Sequence, residues 1–171
     1  LTRPNYKLNM PTHILSTSTD NDNEISSLDS KIRYERILVP HDGSEMSDRA
    51  LRHAVYLSKI SGTEIVIFHV IEPTDNSLRK RKEELALATE ERIRQMLEER
   101  IKLCKKAGVK EVSYIIRRGR PADEIVGLVG ERYYDLIVMA SSRISSTIRI
   151  ILGSNAKKVL DRVAKPILVI R

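Results

Sequence analysis

From residue 34 onward, short apolar runs alternate with stretches of helical periodicity, and this alternation restricts the fold more than any other feature. The apolar runs predict five strands, at Ile37–Val39, Ile65–Val70, Val112–Ile116, Asp135–Met139 and Ile167–Ile170. The intervening patterns predict four helices, at Ser47–Ile60, about Leu78–Ala107, Pro121 to about Arg132, and from Ser154 onward. Because this regular alternation requires right-handed crossovers, we expect a three-layer α/β domain around an open, parallel, five-stranded sheet.

Residues 1–33 differ in composition from the rest of the chain. Sixteen of these 33 residues are Ser, Thr, Asn or Asp, and the segment has no Gly and no apolar periodicity. We therefore expect a disordered or loosely docked arm at 1–33 and a single domain at 34–171. The arm lacks the basic start and compact apolar centre of a secretory signal. Because the chain begins with Leu1 rather than Met, we expect the sequence to be processed or partial.

The charge distribution favours an anionic ligand or an acidic partner. The acidic and basic residues of 1–33 cancel, so the whole net charge of +7 lies on 34–171. Nucleic acid is an improbable partner, because the chain has no recognised nucleic-acid motif and contains one Phe and no Trp for stacking on bases. No apolar run approaches the roughly 20 residues that span a bilayer, so we expect no membrane segment.

The single cysteine, Cys104, fits a reducing, cytoplasmic compartment, because one cysteine cannot form an internal disulfide. It shares the apolar side of the long predicted helix with Met96 and Ile101, which indicates a buried structural thiol. The histidines His41, His53 and His69 are scattered among different predicted elements, without a Cys or second His at metal-binding spacing. We therefore predict no metal centre.

Polar and small residues collect where the first and fourth predicted strands end. Asp42, Gly43 and Ser44 follow the first strand, and small hydroxyl residues follow the fourth. The Gly153-Ser154 pair then begins a short amphipathic helix, with Ser154 as its predicted N-cap; its free N–H groups would attract a phosphate. The alternative is an ordinary turn with a capping residue after the first strand and a plain helix start at Gly153.

Several motifs in the same order resemble the universal stress protein family over nearly all of 34–171. They are ILVPHDGSE from Ile37 to Glu45, the His69-Val70 pair, the GRPA sequence from Gly119 to Ala122, and the ending DLIVMASSR…LGSNAKKVL…KPILVIR. The resemblance implies a Rossmann-like sheet of the adenine nucleotide alpha hydrolase type with strand order 3-2-1-4-5. It also implies a homodimer formed through the last strand, Ile167 to Ile170, and a ligand at the ends of strands one and four.

The resemblance further implies an adenine nucleotide, ATP or AMP, with or without Mg²⁺, bound by a stress-response regulator or sensor. ATP-binding members of the family have a motif written G-x2-G-x9-G-[ST], and here Ala140 and Arg143 replace its first two glycines, whereas Gly153 and Ser154 are retained. Two sets of residues in this sequence match the binding site of the family. The strand ends contribute Pro40, Asp42, Gly43 and Val70, and the segment after strand four contributes Ala140, Ser141, Ser142, Arg143, Ser145, Ser146, Gly153, Ser154 and Asn155.

Arg143 leaves two interpretations open. Its guanidinium either binds a phosphate or fills the loop and closes the pocket. In the second case the protein is a nucleotide-free, dimeric interaction module of the same fold. His41 is either a general base or a partly exposed strand-end histidine, and we favour the second, so we expect ATP hydrolysis to be slow at most.

Overall fold

The computed structural model describes residues 34–73, 79–141 and 153–171, and within the helix that begins at residue 79 it describes the side chains from residue 87 onward. Five strands and four helices occur in these ranges. The strands are β1 (Arg36–Pro40), β2 (Glu64–Ile71), β3 (Val112–Arg118), β4 (Leu136–Ala140) and β5 (Ile167–Ile170). The helices are α1 (Glu45–Ser61), α2 (Arg79–Lys106), α3 (Pro121–Glu131) and α4 (Ser154–Arg162). The predicted arm at 1–33 lies outside the described residues and stays a prediction.

The sheet is parallel and has the order β3-β2-β1-β4-β5, which confirms the predicted fold class. β1 occupies the centre, pairing with β2 on one side and β4 on the other. The chain moves outward from β1 in one direction up to β3 and then returns to build β4 on the opposite side. The carboxyl ends of β1 and β4 therefore meet where the strand order reverses, which is where open α/β sheets bind ligands.

Helices cover both faces of the sheet. Along β1, Ile37 and Val39 pack into a core with α1 and α2, whereas Leu38 faces the opposite core with α3 and α4. This alternation follows from the two-residue period of a strand. Cys104 belongs to the α1–α2 core, as predicted, and burial raises the pKa of its thiol to about 11. Among the described helices, none is long and apolar enough to cross a membrane.

Two glycines with different backbone conformations should respond in opposite ways to the same substitution by alanine. Gly62 ends α1 at φ 74°, in the left-handed region, whereas Gly127 lies inside α3 with nothing within 4 Å of an added Cβ. Gly62→Ala should lower the free energy of unfolding by about 1 kcal/mol, because a Cβ is strained in that conformation. Gly127→Ala should raise it by about 0.5–1 kcal/mol. Urea denaturation measures both changes in the free energy of unfolding. Effects of the same sign would contradict the left-handed conformation of Gly62 or the helical conformation of Gly127.

Candidate functional site

The loop after β1 carries the acidic residue of the candidate site. Gly43 has φ +88°, in the left-handed region that favours glycine, and an added Cβ would lie 3.2 Å from Met96 Sδ. The Ser44 N–H donates to Asp42 Oδ1 at 2.9 Å, and Ser44 Oγ accepts from the Ser47 N–H as the N-cap of α1. The turn and cap of the structural alternative are therefore present, but they leave Asp42 exposed at the strand end.

The Asp42 carboxyl is held in its ionised form. Partial desolvation favours protonation, but hydrogen bonds from Ser44 and Ser47 outweigh it and lower the pKa below the ordinary 3.8. An ionised carboxylate accepts hydrogen bonds only, and it does so strongly. Asp42 is therefore suited to a ligand that presents hydroxyl or amino donors, such as a ribose.

His41 is buried, so the expectation of a partly exposed histidine is wrong. The residue is only 3% exposed, and none of its side chain is accessible to solvent. Nε2 lies 2.9 Å from Asp48 Oδ1 of α1, and Nδ1 accepts from the Gly43 N–H at 3.1 Å. Arg100 of α2 binds both Asp48 oxygens, with two contacts of 3.1 Å. The local sequence gave no signal for Asp48 or Arg100, since Arg100 is 52 positions from its partner.

The end of β2 forms the neighbouring wall. The His41 N–H donates to Phe68 O at 2.8 Å, which extends the pairing between β1 and β2 by one residue. The buried His69 donates from Nδ1 to His41 O at 2.7 Å. Pro40 and Val70 are half-buried at the carboxyl ends of these two strands. Their backbone thus lies beside the Asp42 loop, at the strand ends where the ligand is predicted.

Ser141 joins three elements at the end of β4. Its N–H donates to Ile170 O of β5 at 2.8 Å, and its Oγ accepts from the Gly153 N–H at 3.2 Å. The side chain is buried, and its oxygen holds the start of α4 next to the end of β4. Ala140 is half-buried as the last residue of β4. The predicted site residues Ser142, Arg143, Ser145 and Ser146 lie outside the described residues.

Helix α4 begins at Ser154, one residue before the start that a Ser154 N-cap would give. Gly153 is the N-cap, because its carbonyl already accepts from the Lys157 N–H at 2.9 Å, and the prediction of Ser154 as N-cap is wrong. Gly153 is buried, whereas Ser154 and Asn155 are exposed. Within the described part of the chain, no side chain caps this helix end. Its first amides are therefore suited to an anion.

The structure brings the described site residues to one edge of the sheet. Adjacent parallel strands β1 and β4 carry Asp42 and Ser141 just beyond their carboxyl ends, and the Ser141 contact places Gly153 there too. A carboxylate and uncapped helix amides thus share this edge. Across the described ranges, no group of three or more His, Cys, Asp or Glu side chains is arranged to hold a metal ion.

Comparison with known proteins agrees with this architecture. The model of the universal stress protein family matches residues 33–171. The chain belongs to the universal stress protein family. This assignment confirms the resemblance deduced from the strand-end motifs.

Individual members of the family support the same assignment. Universal stress protein MJ0531 of Methanocaldococcus jannaschii is 30% identical over 145 residues, which span 81% of this chain and 82% of the relative. The solved structure of MJ0577, from the same organism, is 30% identical with a TM-score of 0.70 and covers 81% of this chain and 96% of its own. A universal stress protein in complex with cAMP has 25% identity and a TM-score of 0.63, covering 81% of this chain and 97% of its own.

Proposed function

We propose that this universal stress protein binds an adenine nucleotide, ATP or AMP, at the carboxyl ends of β1 and β4 and acts as a stress-response regulator or sensor. The observation that carries the proposal is that an exposed, ionised Asp42 and the start of α4, whose amides no described side chain caps, both lie at the switch point of the sheet. The carboxylate suits the hydroxyls of a ribose, and the helix amides suit phosphate. The related protein in complex with cAMP supports an adenine nucleotide as the ligand.

The described residues fit such a ligand. Backbone at Pro40 and Val70 would contact the adenosine, Asp42 the ribose, and the amides of Ser154 and Asn155 the phosphates. Ser141 acts in this arrangement by holding Gly153 in place. Magnesium would reach the site on the phosphates of ATP. The remaining predicted contacts come from the hydroxyl-rich segment after β4, namely Ser142, Arg143, Ser145 and Ser146.

The replacement of the first motif glycine by Ala140 is compatible with this site. Ala140 belongs to β4 and pairs with Ile170 of β5. An extended backbone accommodates alanine without strain, because only a positive φ penalises its Cβ. The methyl group therefore does not by itself prevent the β4 end from adopting the conformation that a nucleotide needs.

The environment of His41 favours a binding protein over an efficient hydrolase. A general base needs a ring nitrogen that reaches a water molecule. Nδ1 of His41 accepts from the Gly43 N–H, and Nε2 is 2.9 Å from Asp48. Since both nitrogens have protein partners, we expect ATP turnover to be slow at most.

We further propose a cytoplasmic homodimer that forms through β5. β5 is the terminal strand of the sheet order, and Leu168 on it is 37% exposed. An edge strand with an exposed apolar side chain favours pairing with another chain. A second copy would cover this edge.

Calorimetric titration with ATP and Mg²⁺, repeated with ADP and AMP, tests the proposed function. We expect dissociation constants of about micromolar order for the parent protein. Arg143→Gly should weaken ATP binding by about tenfold or more, because a guanidinium–phosphate contact contributes roughly 1.5–3 kcal/mol. Arg52→Ala, an exposed position on α1, should bind as the parent does. No binding by the parent, restored by Arg143→Gly, would support the closed-pocket interaction module instead.

A further inference from the structure

His41 is hydrogen-bonded to β2, to Asp48 of α1 and to the Gly43 amide of its own loop, although the proposed function gives it no ligand to contact. We infer that His41 is a positioning residue: its unprotonated Nδ1 holds the Gly43 amide, and with it the Asp42 loop, in the geometry that binds the nucleotide. Protonation of the ring then releases the loop and weakens binding. This inference deepens the proposed function and rests on it.

The hydrogen bonds define which ring nitrogen carries the proton. The Gly43 N–H donates to Nδ1 at 3.1 Å, and only an unprotonated nitrogen can accept. In the neutral ring the hydrogen is therefore on Nε2, which donates to Asp48 Oδ1 at 2.9 Å. Arg100 fixes the Asp48 carboxylate from α2. The ring is thus oriented by two helices while its other nitrogen binds the loop.

The backbone of His41 is held as tightly as its side chain. Its N–H donates to Phe68 O at 2.8 Å, and its carbonyl accepts from His69 Nδ1 at 2.7 Å. Because the backbone and the ring of His41 are both hydrogen-bonded, His41 cannot move away from the Gly43 amide when Nδ1 is protonated. The Gly43 amide is the group that must move, and it lies between Asp42 and Ser44 in the turn.

Protonation of Nδ1 places two donors, the ring N–H and the Gly43 N–H, against each other. Among the described residues, the charged groups facing the ring are Asp48 from α1, Arg100 from α2 and Asp42 from its own loop. Burial and Arg100 disfavour the charged ring, whereas Asp48 and Asp42 favour it; burial prevails and lowers the pKa of His41 below 6.5. The ring is therefore neutral at neutral pH. The hydrogen bond from the Gly43 N–H to His41 Nδ1, called the loop latch below, breaks only under acid conditions.

The first experiment follows cyclic AMP binding against pH, since the charge of its phosphodiester does not change between about pH 5 and pH 8. NMR of the His41 ring gives its pKa, and affinities are compared about one pH unit on either side of it. The parent should lose up to about tenfold in affinity on the acid side, which is the ratio of the neutral-ring fractions at the two pH values, because the Gly43 amide has lost its acceptor. His53→Gln, which removes an exposed histidine of α1, should behave as the parent does.

Two substitutions at His41 separate positioning from packing. His41→Asn places an acceptor near the Nδ1 position that cannot be protonated, so its affinity should stay within a few-fold of the neutral parent and be independent of pH. His41→Phe keeps the ring shape without nitrogen and should bind weakly at every pH. Equal affinities for the Asn and Phe variants would overturn the inference, because packing alone would then account for His41.

A second readout needs no nucleotide. In ligand-free protein labelled with ¹⁵N-glycine, only seven amide signals appear, and that of Gly43 should shift with the pKa of the His41 ring. If the parent binds no nucleotide but the Gly43 signal follows His41, the proposed function fails and the loop latch stands. If the parent binds cyclic AMP equally on both sides of that pKa, or unfolds before His41 protonates, the latch is refuted and the nucleotide site is unaffected.

Discussion

Asp42→Ala should weaken adenine-nucleotide binding by roughly 10- to 100-fold while the fold persists. A hydrogen bond to a charged group contributes about 1.5–3 kcal/mol, which corresponds to this range of affinity. The carboxylate is ionised and exposed at the end of β1, so its removal deprives a ribose of its acceptor without opening a cavity in the core. Calorimetric titration with ATP measures the loss, and circular dichroism checks the fold.

A second substitution distinguishes ligand contact from loop structure. Asp42→Asn retains an oxygen to accept from the Ser44 N–H, a contact of 2.9 Å in the parent, but removes the charge. We expect its affinity to lie between those of the parent and the alanine variant. Asp161→Ala, at an exposed carboxylate paired with Lys157 on α4, is the control and should change affinity less than threefold or so. Parent-like binding by Asp42→Ala would exclude Asp42 as a ligand residue.

The sheet was predictable because its signals are local. Each strand is a short apolar run, and each helix shows its own period, so the alternation alone indicated a parallel α/β domain. The ends of the strands were harder to predict. β3 continues to Arg118, two residues beyond its predicted end. Arg117 and Arg118 pair with β2 through the backbone, which does not require apolar side chains. Backbone hydrogen bonds, not hydrophobicity, determine such boundaries.

The site was predictable where its residues follow directly from strand ends. Asp42 and Gly153 were identified because a carboxylate or glycine at that place has a defined chemical use. The Ser154 cap was misassigned, since serine is the stronger N-cap residue by type but Gly153 supplies the first helical carbonyl. The contact between the Ser141 hydroxyl and the Gly153 amide joins residues 12 positions apart, so the sequence gave no signal for it.

The contacts beneath the loop could not be read from the sequence. His41 comes from the loop after β1, Asp48 from α1 and Arg100 from α2, and their proximity depends on how both helices pack on one face of the sheet. Hydrophobic periodicity locates a helix face but does not say which polar residues of two helices meet at its border. A charged residue on an amphipathic helix is ordinarily solvated surface, so these side chains carried no recognisable signal.

Asp48→Ala should lower the free energy of unfolding by roughly 2–4 kcal/mol at neutral pH. The substitution leaves the buried Nε2 of His41 and the bidentate Arg100 without their shared acceptor, and such unpaired groups are costly. The Asp48 side chain is 29% exposed, so water compensates part of the loss and places the estimate below that for a fully buried pair. Urea denaturation measures it, with Asp161→Ala as the control that should change stability by less than about 0.5 kcal/mol.

The effect of Asp48→Ala should depend on pH with a definite sign. Desolvation opposes ionisation of Asp48, but hydrogen bonds from Arg100 and His41 outweigh it and lower the pKa below 3.8. A lowered carboxyl pKa stabilises the native state above the unfolded value, and this contribution is lost as pH falls from 3.8 through the native pKa. The stability difference between parent and variant should therefore persist from neutral pH down to about 3.8 and shrink as the pH falls below 3.8. A constant difference across that window would mean that the carboxylate charge contributes nothing and that only the lost packing matters.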